Sequence, residues 1–148
     1  MDFRLEQLSP ENLTTLFQHA YYSAETVFRK HEDESKAVAT VIRVDNNSFL
    51  VYTQKHLSSL AYEARFFING ENISEAFIGN TLRSLNRTAI KTEASHSPQG
   101  FALTCAYKHI IPNGFSINTA EIISLFRIFK KSICEYGRQL SVEASKAN

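Results

Sequence analysis

The sequence has no tryptophan, one methionine, three prolines, five glycines and two cysteines in 148 residues. The two cysteines, Cys105 and Cys134, form no C-x-x-C pair, so neither a disulfide framework nor a redox motif is encoded. Both read as small buried hydrophobes in a reducing compartment. The glycines fall singly and build neither a phosphate-cradling loop nor a dinucleotide fingerprint. A formal charge of +1 gives no field of one sign that would favour nucleic acid or a cationic substrate. No apolar run is long enough to span a bilayer, and the opening MDFRLEQLSPENL lacks a signal-peptide core, so a cytoplasmic protein is expected.

What is present is strong local patterning, in an amount of chain suited to one domain with a core of its own. Ser9, Pro10 and Glu11 make a helix start: a capping hydroxyl, a residue with no N–H to leave unpaired, and an acid at the positive end of the dipole. Leu13, Leu16, Phe17, Ala20, Tyr21, Ala24, Val27 and Phe28 then recur at helical spacing, predicting a helix over about residues 10 to 30. KAVATVIRVDNNSFLVYTQ reads as two strands around an Asp45-Asn46-Asn47 turn, and LAYEARFFING as a third. NISEAFIGNTLRSLN restores the helical period, with Asn72 and Glu75 in capping positions.

A second hairpin follows, TAIKTEASHS and GFALTCAYKHII around Pro98-Gln99-Gly100, and then a Pro112-Asn113-Gly114 connector. Asn118 and Glu121 open a long last helix with Ile122, Phe126, Phe129, Ile133 and Leu140 on its stripe, fraying after Leu140. The expectation is a single α+β domain ordered over about 9–140: an antiparallel five-stranded sheet with helices at the N-terminus, centre and C-terminus.

Groups for catalysis are sparse. His19, His31, His56, His96 and His109 are scattered, with no pair at the i, i+4 spacing of a metal face. Cys105 and His109 share a strand face but stand about 13 Å apart along it, too far for a nucleophile and its base. The carboxylates show no paired signature, and Arg127, Lys130, Lys131 and Arg138 read as the solvated face of the last helix. We therefore expect no enzyme, no cofactor, no metal, no nucleic acid and no membrane.

Strand parity points elsewhere. Leu60, Tyr62, Ala64, Phe66 and Ile68 fill one face of the third strand, yet Phe67 sits among Glu63 and Arg65 on the other. Val41 and Tyr52 are likewise apolar on the second parity of their strands. Val41, Tyr52 and Phe67 are thus candidates for a surface covered by a partner protein or a second copy of the chain.

The order of elements resembles that of the YbjN family and of class I type III secretion chaperones. The likeness is carried by Leu85-Asn86 after the central helix and by GFSINTAEI leading into the last helix. That resemblance implies the same α+β fold, no catalytic motif, and a homodimer that holds a protein partner as chaperone or regulator. The alternative from another class is a toxin-neutralising immunity or inhibitor protein.

Overall fold

A computed structural model describes the backbone of residues 1–69, 90–97 and 100–147. The first helix starts where the capping pattern predicts. The Asn12 amide donates to Ser9 Oγ at 3.1 Å, and Pro10 occupies the first turn. Helix α1 spans Pro10–His19, however, and ends nine residues before the apolar stripe does at Phe28. Tyr21 adopts a left-handed φ of +67°, which stops the helix, and Ser23–His31 continues as a strand. Ala24, Val27 and Phe28 keep helical spacing by coincidence; Thr26 and Val27 are β-branched, and the following strand supplies a partner along the whole length.

The class is α+β, as predicted, with six strands in the antiparallel main sheet among the described residues, where five were expected. Its strands are β2 (Ser23–His31), β3 (Glu34–Val44), β4 (Asn47–Gln54), β5 (Ser59–Asn69), β6 (Lys91–Ser97) and β7 (Gly100–Ile110), in the order β2-β3-β4-β5-β7-β6. A two-stranded sheet pairs β1 (Asp2–Phe3) with β8 (Ile117–Asn118). The helix predicted around residues 72–86 and the Pro98-Gln99 turn lie outside the described residues; Ser97 pairs with Gly100.

The chain divides into two compact units, Met1–Glu63 with Lys108–Arg127, and Ala64–Tyr107 with Ile128–Asn148. In the first, tight turns join β2 to β3 and β3 to β4, with Glu32 and Asp45 taking the left-handed position. Helix α1 packs on β2, β3 and β4. The core is aromatic. Phe126, fully buried, meets Phe17, Tyr22 and Phe49 edge-on at centroid distances of 5.3, 5.2 and 5.5 Å, with Tyr62 stacked at 6.5 Å. The Tyr62 hydroxyl donates to the Ile122 carbonyl at 2.8 Å, so the buried ring keeps its polar end paired.

Beside this core lies a cluster of hydroxyls. Thr14 Oγ1 is 2.8 Å from Thr26 Oγ1 and 2.9 Å from Thr40 Oγ1, and both Thr14 and Thr40 reach the Pro10 carbonyl at 2.8 Å. Three hydroxyl protons cannot serve these contacts all at once. A chain from Thr26 to Thr14 to Thr40 to the Pro10 carbonyl uses each proton once, and it ties α1 to β2 and β3.

In the second unit β6 lies against β7, with Thr92 opposite Cys105 and its hydroxyl 3.5 Å from the sulfur. Ala64, Ile90, Leu103, Phe129, Ile133 and Tyr136 are buried. Helix α2, Thr119–Ala147, begins with the Glu121 amide donating to Asn118 Oδ1 at 2.8 Å, the predicted cap. It continues past Leu140, where loss of periodicity predicts fraying. A Cβ on Gly137 would stand 3.2 Å from Phe66 Cε1, so the missing side chain lets helix and strand approach closely. Cys134 is exposed rather than buried, because it lies one residue off the stripe that buries Ile133 and Tyr136.

Candidate functional site

The register of β2, β3 and β4 sorts their side chains into rows. Cross-strand partners share a face, so Ala24, Ile42 and Phe49 form one row and Thr26, Thr40 and Val51 the next, both turned toward α1 and the aromatic core. The intervening rows point the other way. Glu25, Val41 and Leu50 form one, and Ser23, Arg43 and Ser48 another. Val27 is opposite Ala39, and Tyr52 follows Leu50 on the same parity.

On this outer face Val27, Val41, Leu50 and Tyr52 are half-buried, while Glu25, Arg43 and Ser48 are exposed. Arg43 and Glu25 pair at 3.2 Å, an exposed bridge of small energetic value. Two of the three residues singled out by parity, Val41 and Tyr52, therefore share one face of the first unit. The third, Phe67, belongs to the second unit and is 53% exposed on β5. Leu50 and Val27 complete the apolar set. Leu50 shares the parity of Tyr52 on β4, whereas Val27 was hidden by the helix expected up to about residue 30.

Other chemistry is thin among the described residues. No group of three histidine, cysteine, aspartate or glutamate side chains is placed to hold a metal. Burial pushes the Cys105 thiol up, an effect the Thr92 hydrogen bond partly offsets, so its surroundings disfavour the thiolate. A cleft of about 240 Å³ is lined by Leu5, Glu6, Lys55, Ser58 and the Ile111–Phe115 connector. The Ile111 amide donates to the Ser58 carbonyl at 2.7 Å, and Ser58 and Gly114 both take left-handed φ. Its single carboxylate, Glu6, pairs with Arg4 at 3.2 Å, and nothing in it forms an acid–base couple. No described helix is long and apolar enough to cross a membrane.

No protein-family model matches the sequence, and no curated protein matches it either. Similarity is found at the level of structure. The crystal structure of YbjN from E. coli, a protein described provisionally as a transcription regulator, superposes with a TM-score of 0.60 over 85% of this chain and 86% of that one. The identity is 8%, so what the two share is the fold. The chain thus has a YbjN-like α+β fold.

Proposed function

We propose that the chain is a cytoplasmic, non-enzymatic protein-binding domain that acts on a protein partner as chaperone or regulator. The observation that supports this reading is the outer face of β2, β3 and β4. Four apolar side chains, Val27, Val41, Leu50 and Tyr52, stand there in half-exposed positions among unlike charges, on the side of the sheet away from the aromatic core. An apolar centre with a charged rim is the anatomy of a protein interface, and an aromatic such as Tyr52 is a common anchor. The YbjN-like fold is compatible with the regulator branch of this reading.

The test is affinity capture with the parent chain and with Val41→Asp, both checked for folding by circular dichroism. A charge at the centre of an interface costs about 2 kcal/mol or more, roughly thirtyfold in affinity. A partner held by the parent and lost by Val41→Asp supports the proposal; equal retention by both, or no retained partner, overturns it. Phe67→Ala, run beside it, asks whether the second unit contributes. A toxin enzyme as the sole Val41-dependent partner would turn the reading to the inhibitor class.

A further inference from the structure

Strand β2 has β3 on one side and, among the described strands, none on the other. Its backbone groups along that edge are a template for another strand, and edges of this kind are normally guarded by charge. The charges on β2 do something more specific. Reading Ser23, Ala24, Glu25, Thr26, Val27, Phe28, Arg29, Lys30, His31, the sequence is self-complementary about Val27.

We infer that the β2 edge is a self-association surface, taking β2 of a second copy of this chain in antiparallel register with a two-fold axis through Val27. In that register Glu25 faces Arg29 of the second copy, and the same pair recurs on the other side of the axis. Val27 meets its own copy, Thr26 faces Phe28, and Ala24 faces Lys30; no like charges are opposed. The exposed carboxylate of Glu25 then lies between Arg43 of its own chain, 3.2 Å away, and the arriving Arg29. Phe28, 59% exposed in the single chain, lies beside the Thr26 methyl of the copy.

Neighbouring registers lose this match. An axis through Thr26 puts Glu25 opposite Val27 and Arg29 opposite Ser23. An axis through Phe28 puts Val27 opposite Arg29. Parallel in-register pairing places Glu25 against Glu25 and Arg29 against Arg29, which is repulsive. The β-bulge between Val27 and Phe28 leaves Val38 on β3 as the extra residue, so β2 itself has no inserted residue to interrupt pairing on its open side. Charges that repel a generic strand here select one partner and one register.

This surface shares Glu25 and Val27 with the outer face but uses the edge of β2, so Val41→Asp probes one and charge exchange on β2 the other. Sedimentation of the full chain is compared with Glu25→Arg, Arg29→Glu and the double exchange. The parent should dimerise at or below about 100 μM, each single exchange should weaken the dimer about tenfold or more, and the double exchange should recover part of the loss, since Arg43 then opposes the new arginine at position 25. A second measurement uses Val27→Cys in a Cys134→Ser background, where Cys105 is buried; it should cross-link to itself under mild oxidation faster than Asn46→Cys in the same background. A monomeric parent, single exchanges without effect, a double exchange that fails to recover, or cross-linking no faster at Val27 than at Asn46 would each overturn the inference.

Discussion

Thr40 and Val41 are adjacent on β3, and their environments invert what their chemistry suggests: the hydroxyl is fully buried and the isopropyl group is not. The same contrast runs through the strand, with Ile42 buried and Arg43 exposed. On one face α1 and the rings around Phe126 supply partners for the rows of Ile42 and Thr40, including acceptors for the threonine hydroxyls. On the other, neighbouring strand residues cover the small Ala39 but leave the larger Val27, Val41, Leu50 and Tyr52 only partly covered. Burial here follows what packs on a face and not the hydrophobicity of each residue. A polar group can therefore be central to the core if its hydrogen bonds are built in.

The hardest way to break the contrast is Phe126→Ala. Four rings lose their common partner, and we expect a cost of about 3–5 kcal/mol, read from denaturant unfolding. A loss under about 1 kcal/mol would mean that the inner face is not organised around this ring. Next comes Thr40→Val, nearly unchanged in shape but without the hydroxyl that links Thr14 to the Pro10 carbonyl; it should cost about 1–3 kcal/mol by the same assay.

In the second unit, Gly137→Ala weighs helix propensity against fit. Alanine gains about 1 kcal/mol over glycine in an open helix, and the tight approach to Phe66 should remove most of it, so a thermal midpoint shift well below that gain is expected. The smallest effect is reserved for Val41→Thr, the reverse exchange one residue from Thr40. Stability should change by no more than about 0.5 kcal/mol, because the half-exposed hydroxyl reaches water. Equal costs for Thr40→Val and Val41→Thr would erase the distinction between the faces.

Much of the fold was legible where a local rule has no competitor. Ser9 with Pro10 and Asn118 before Thr119 were readable as caps because few other roles suit those residues there, and Asp45 because a left-handed turn tolerates it. The failure at residues 20–31 has an equally local cause. A spacing of four keeps Ala24 and Phe28 on one face of a helix and of a strand alike, and only Val27, three residues on from Ala24, changes face between the two. Only the left-handed Tyr21 and the pairing of β2 with β3 decide between them, and neither is encoded in periodicity. That single misreading also concealed Val27, and with it the β2 edge. Parity puts Val41 and Tyr52 on one face, since a period of two leaves no choice once the strands are right. It could not say that Phe67 falls in a different compact unit, which depends on long-range packing.

The pairing of β1 with β8 has a consequence in time. Asp2 and Phe3 meet Asn118 and Ile117 from the other end of the sequence, and the Thr119 amide donates to the Met1 carbonyl at 3.1 Å. Few contacts repay the closure of so large a loop, whereas β2, β3 and β4 are joined by tight turns and can zip locally. Folding that starts in those hairpins leaves the β1–β8 clasp for last, and unfolding releases it first. The amides of Phe3 and Thr119 are therefore the natural reporters of the earliest opening of the chain.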